Sequence, residues 1–143
     1  MQKIEKSQIA VMNICYQFYP FEYFLDSVAR MGVSNIDLWA GYPHLLIRKG
    51  CEERLREIRK QCNDRALRIV CLTPKQIGYP LNIADSDPQI RMDGVTYLKR
   101  CIDAAGILGT DMLQLVPGWG LYNQPVGEAW KRAAESLQTR ADY

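Results

Sequence analysis

The chain has 143 residues and a formal net charge of +2, with 48% hydrophobic and 24% charged residues, which suits one domain that buries roughly two thirds of its unfolded surface. Basic residues are spread through helical stretches at near-neutral net charge, so neither nucleic acid nor an anionic membrane is expected as a partner. No apolar run approaches the roughly 18 residues of a membrane span, the start MQKIEKSQIAVMNIC makes a poor secretory signal, and Cys15, Cys51, Cys62, Cys71 and Cys101 form no CxxC pair and read as reduced thiols of a cytoplasmic protein.

Ile9 to Tyr16, IAVMNICY, reads as the first strand, continuous, β-capable and ended by aromatic residues. Pro20 opens a helix whose Phe21, Phe24, Leu25, Val28 and Met31 share one face. The stretch Met31 to His44, MGVSNIDLWAGYPH, then holds a helix end, a buried strand and a Gly-bearing loop. Along that strand Ile36 and Leu38 point one way, towards a covering helix, and Asp37 and Trp39 point the other.

Cys51 to Arg65 reads as a charged helix with a buried stripe of Leu55, Ile58 and Cys62, and Glu52 with Arg56 at i,i+4 spacing. Leu67 to Thr73 is a third strand, stopped by Pro74. Ser86 or Asp87 caps the next helix with Pro88 in its first turn, and Val95, Leu98, Ile102, Ala105 and Leu108 make its inner stripe. Met112 to Val116 is a fourth strand, and a final helix from about Val126 sets Val126, Ala129, Trp130, Ala133 and Leu137 on one side. Leu108 to Gly118, LGTDMLQLVPG, repeats the earlier pattern: Gly32 matches Gly109, Ile36 matches Leu113, Leu38 matches Leu115 and Gly41 matches Gly118.

The order βαβαβαβα with short connections predicts an α/β fold of parallel strands joined by right-handed crossovers. Its fold class is a parallel (β/α)4 unit, half of a TIM (β/α)8 barrel, as a single domain over residues 1–143. An open doubly wound sheet is disfavoured by the interior polar positions Asp37 and Gln114 and by the lack of GxGxxG or GxxxxGK[ST] after a strand. A half-barrel leaves two strand edges and its inner face uncovered, so the chain is expected to be poorly soluble alone or to form a homo-oligomer through those edges.

In a barrel the working face is the carboxyl end of the strands. The loops there, Tyr16 to Tyr19, Trp39 to His44, Thr73 to Asn82 and Pro117 to Tyr122, are rich in aromatic, Pro and Gly residues that suit a pocket for a sugar or another polar ring. Tyr16, Trp39, Tyr79 and Trp119 are the candidate stacking residues, with core or loop packing as the plainer role for each. His44 is the sole histidine, fitted either to a ligand hydroxyl or to a structural bond with a neighbouring loop. It cannot build a multi-histidine metal site alone, and no carboxylate cluster sits on these loops. Asp37 is expected to orient Gln114 or a backbone group. With no GxSxG and no histidine near a cysteine in sequence, no residue is assigned as catalytic or metal-binding.

IDLWAGYPH together with LTPKQIGYPLN resembles the amino-terminal half of the sugar isomerase/epimerase group of xylose isomerase-like TIM barrels. The resemblance runs from the first strand to SLQTRADY. Its most specific pieces are Trp39, Gly41, Pro43 and His44, then Thr73, Pro74, Gly78, Tyr79, Pro80 and Asn82, and it adds Asn82 to the substrate-binding candidates. It implies a small sugar or sugar-amine substrate and proton transfer beside a ketose carbonyl through a cis-enediolate. Full-length members of the group use a divalent metal (Mn, Co, Ni, Mg or Zn), held by two Glu, an Asp and a His on later strands. None of those ligands maps onto this sequence, so the chain is expected to bind no metal and to be silent in turnover. The alternatives are a stand-alone sugar-binding or self-assembling half-barrel module and, less favoured because Arg48 and Lys75 are too little basic charge beside the strand ends, an endonuclease IV-like DNA repair enzyme.

Overall fold

The computed structural model describes residues 3–76 and 78–141. Three strands, β1 (Ala10–Met12), β2 (Asn35–Ala40) and β3 (Arg68–Pro74), alternate with helices α1 (Phe21–Arg30) and α2 (Glu52–Asn63), and α3 (Pro88–Leu108) and α4 (Val126–Ala141) follow. The strands lie in chain order, every pair parallel. This is the parallel α/β half-barrel architecture that the periodicity predicts.

Register decides what faces where. Ile36 pairs with Val11 and Ile69, and an irregularity after Ile36 then sets Asp37 opposite Cys71, Leu38 opposite Leu72 and Trp39 opposite Thr73. Ile36, Leu38 and Leu72 are fully buried in one core with Phe24, Leu25 and Val28 of α1, Leu55 and Ile58 of α2 and Leu98 and Cys101 of α3. Each such aliphatic side chain contributes about 1.5–3 kcal/mol by leaving water, so the helix-covered face holds the sheet together. The opposite face carries Asp37, Cys71 and Thr73.

The helix ends follow their local chemistry. Asp87 caps α3, accepting from Gln89 N at 2.7 Å, with Pro88 in the first turn. Gly109 ends it at φ +80°, a conformation that only Gly adopts cheaply. Gly94 belongs to the buried face of α3, where a Cβ would lie 3.1 Å from the Leu81 backbone, so it serves close packing. Ile102, expected on the inner stripe, is 36% exposed, and Tyr97, Cys101 and Ala104 face inward instead.

Two strands are shorter than expected. The first ends at Met12, and residues Asn13–Tyr16 form a tight helical turn, because the Asn13 side chain replaces its backbone in pairing with β2. The fourth is reduced to a single parallel bridge between Leu72 and Leu113, made by Leu72 N to Met112 O at 2.9 Å and Gln114 N to Leu72 O at 3.0 Å. On α4 the buried residues are Ala129, Ala133 and Ser136, whereas Val126 and Trp130 of the expected stripe are 85% and 73% exposed. The helix is tied to the loop after β3 instead, through Ser136 Oγ to Ile83 O and Arg132 Nε to Ala84 O, both 2.8 Å. No described helix is long and apolar enough to cross a membrane.

Candidate functional site at the strand ends

Parallel strands bring the carboxyl ends of β1, β2 and β3 to one end of the sheet, where three side-chain amides do the work of backbone pairing. Asn13, fully buried, accepts from Trp39 N at 2.7 Å and donates to Trp39 O at 3.0 Å. Gln76 accepts from Val116 N at 2.8 Å and donates to Val116 O at 3.0 Å. Asn82 accepts from Trp119 N at 3.1 Å and donates to Trp119 O at 2.9 Å. Each amide presents one donor and one acceptor in the spacing of a peptide group, so each satisfies a backbone pair where the chains diverge too far to pair directly.

His44 belongs to this framework. Its Nδ1 lies 2.9 Å from Asn13 Nδ2 and its Nε2 lies 2.9 Å from Tyr19 O. An amide nitrogen only donates and a carbonyl only accepts, so the proton sits on Nε2 and Nδ1 is the acceptor. The ring is 3% exposed, and its centroid lies 5.3 Å from that of Phe21. Both ring nitrogens are thereby committed to tying the loop after β2 to the loop after β1.

Of the six sequence-derived candidates, Trp39 and Tyr79 come together around Lys75, whose Nζ sits 5.5 Å from the Trp39 ring centre and 5.7 Å from that of Tyr79. Trp39 is 5% exposed and Tyr79 is 42% exposed. Asn82 and Trp119 are joined by the amide clasp, with Trp119 40% exposed. Tyr16 packs into an aromatic cluster with Tyr19, Tyr23 and Phe24, its ring 5.3 Å from Phe24. A small depression of about 50 Å³ beside Lys75 is lined in part by Gly41, Tyr42, Tyr79 and Tyr97.

Deeper on the same face, Thr73 Oγ1 donates to Asp37 Oδ1 at 2.7 Å. Burial pushes the Asp37 carboxyl above the ordinary carboxylate value, and the Thr73 bond partly opposes that. The Thr73 hydroxyl takes the place of the expected Gln114 or backbone group, since the Gln114 residue is exposed and its backbone bonds Leu72. β3 lies between β2 and the fourth segment, so β3 residues stand against Asp37, and the shift after Ile36 sets Cys71 opposite it. Cys71, beside the pair, is also pushed up, by burial and then by the Asp37 charge.

Asn13, Lys75 and Gln76 were not among the sequence candidates. Asn13 left a signal, a lone amide within the otherwise apolar IAVMNICY. Lys75 counted only as a basic residue, because sequence spacing does not show two rings closing over it. Among the described residues no group of three or more His, Cys, Asp or Glu could hold a metal ion, so these side chains do not fit a metal centre.

A family model for the xylose isomerase-like TIM barrel matches residues 25–143. The fructoselysine 3-epimerase of Shigella flexneri is 24% identical over 128 residues, 90% of this chain and 46% of that protein. The chain thus spans about half the length of the curated relatives it matches. Among solved structures, D-psicose 3-epimerase in the presence of D-fructose superposes with a TM-score of 0.74 at 18% identity, covering 93% of this chain and 47% of the other. An L-ribulose 3-epimerase does so with a TM-score of 0.70 at 18% identity, covering 94% and 44%. At those identities the likeness to the solved structures is one of fold.

Proposed function

The chain belongs to the xylose isomerase-like TIM barrel family, and from that membership we propose that it forms the amino-terminal half of the barrel of a sugar 3-epimerase whose substrate is a ketose or a ketose-amine. The observation that carries the reading is the meeting of Trp39, Lys75 and Tyr79 at the carboxyl ends of β2 and β3, above the Asp37 and Thr73 pair. Aromatic faces suit the C–H surfaces of a sugar, and a hydrogen-bonded carboxyl beside them suits its hydroxyls.

On this reading Trp39, Tyr79 and Trp119 shape the substrate pocket, Tyr16, His44 and Asn82 hold its walls, and Asp37 takes a substrate hydroxyl. The divalent metal and the carboxylates that move the proton belong to the part of the relatives that this chain does not span. In the bound state this half would orient the ketose and exclude water while the other half supplies the chemistry. Five free cysteines, three of them buried, support a reducing compartment such as the cytoplasm.

Incubating the chain with D-fructose and Mn²⁺, and following inversion at carbon 3 by NMR, tests the division of labour. No turnover is expected from this polypeptide alone, and robust turnover contradicts the placement of the proton-moving groups elsewhere. A self-assembling half-barrel is the second reading, favoured by β1 pairing on one side only within the sheet. Sedimentation distinguishes it by a sharp homodimer.

A further inference from the structure

Lys75 is held more firmly than a loop lysine needs to be. Its backbone N–H extends the ladder of β2 by donating to Ala40 O at 3.2 Å, and its carbonyl accepts from Tyr97 Oη at 3.5 Å. By strand alternation it follows Thr73 onto the face that carries Asp37 and Trp39. Its ammonium then lies against two rings at once, 5.5 Å and 5.7 Å from their centres. Among the described residues no carboxylate stands within ion-pairing distance of it, whereas the pairs Arg54 with Glu57, Lys60 with Asp64 and Arg65 with Asp26 lie on helices or their ends.

A cation fixed by aromatic faces keeps its full charge, because the ring quadrupoles attract it without neutralising it. At the mouth of a half-enclosed site that charge is only partly screened by water. Neutral sugars have hydroxyls but no countercharge to offer it. A substrate bearing a carboxylate or phosphate does, and the rings on either side would stack the sugar that carries the anion.

We infer that Lys75, clamped between Trp39 and Tyr79, is a specificity-determining residue that selects sugars carrying an anionic substituent. The inference rests on the sugar-binding reading above and adds the charge of the ligand to it. Any covalent role is unnecessary, since the contact is one ion pair formed on binding.

Binding of three probes to the chain, followed through the Trp39 indole N–H signal in NMR, tests it: D-fructose, the fructosyl conjugate of glycine, and fructose 6-phosphate. The conjugate, the phosphate or both should bind on the order of tenfold more tightly than D-fructose, the scale of one partly shielded charge pair. Which of them gains identifies the anion as carboxylate or phosphate. Lys75→Met should abolish the difference, bringing the anionic probes to the affinity that the same variant shows for D-fructose, and Lys75→Arg should restore part of it. Equal binding of all three probes, or a preference that survives in Lys75→Met, overturns the charge inference and leaves the sugar reading standing. Binding by none of them overturns both.

Discussion

Asn13 and Trp39 exchange two hydrogen bonds, Trp39 N to Asn13 Oδ1 at 2.7 Å and Asn13 Nδ2 to Trp39 O at 3.0 Å, and the same amide nitrogen reaches His44 Nδ1 at 2.9 Å. One buried side chain thus fixes the end of β2, the indole above it and the imidazole beside it. Replacing Asn13 with Leu leaves the Trp39 N–H and C=O and the His44 Nδ1 without their partner. Each unmet buried group costs about 1–3 kcal/mol. The expected result is a loss of about 3 kcal/mol in urea unfolding, and Asn13→Asp, which keeps the acceptor but loses the donor, should fall between the two.

Gly41 lies under the Trp39 ring, and a Cβ built there would run into the indole. Trp39 is 5% exposed and has little room to give. Gly41→Ala should therefore cost about 1–3 kcal/mol, the usual range for overfilling a packed site. Tryptophan fluorescence should shift to the red as the indole moves towards solvent. An unchanged spectrum with unchanged stability would mean that the ring is not packed on the glycine.

The raised Asp37 carboxyl makes stability depend on pH in a definite direction. The folded state holds the Asp37 proton more tightly than the unfolded chain does, so this group's contribution is greatest at low pH. It is lost as pH rises from the ordinary carboxylate value through the raised one. Asp37→Asn removes the titration. Urea unfolding measured from about pH 4 to about pH 7, the range that brackets ordinary and raised carboxyls, should show a smaller decline with rising pH in the variant than in the parent. Parallel curves would place the pH dependence elsewhere.

Burial pushes the Cys62 and Cys101 thiols up to about 12, whereas Cys15 is exposed. The thiolate is the reactive form. Mild iodoacetamide near neutral pH should label Cys15 first and leave Cys62 and Cys101 unmodified until the chain is unfolded, as peptide mass spectrometry can read. Early labelling of Cys101 would mean that α3 opens locally.

Much of the fold was legible because it rests on period and punctuation. Ile36 and Leu38 alternate against Asp37 and Trp39, Asp87 and Pro88 announce α3, and Gly109 ends it. The strand lengths were not legible, because Asn13 and Gln76 pair through side chains, and a propensity pattern cannot tell a side-chain amide from a backbone one. The exposed Trp130 has a similar origin: α4 docks by Ser136 and Arg132 on the loop around Ile83 and Ala84, a target that helical spacing does not name. Of the candidate site, loop composition names Trp39 and Tyr79, whereas the approach of Lys75 to both rings is a tertiary feature.

The most direct test of the sugar-site reading is a ¹H–¹⁵N NMR titration of this chain with D-fructose. The signals of Trp39, Thr73, Lys75 and Tyr79 should move together on one binding curve, with those of α2 and α4 unmoved. Shifts confined to the helices, or no shifts at saturating ketose, would contradict the assignment of the carboxyl ends of β2 and β3 as a sugar-binding surface.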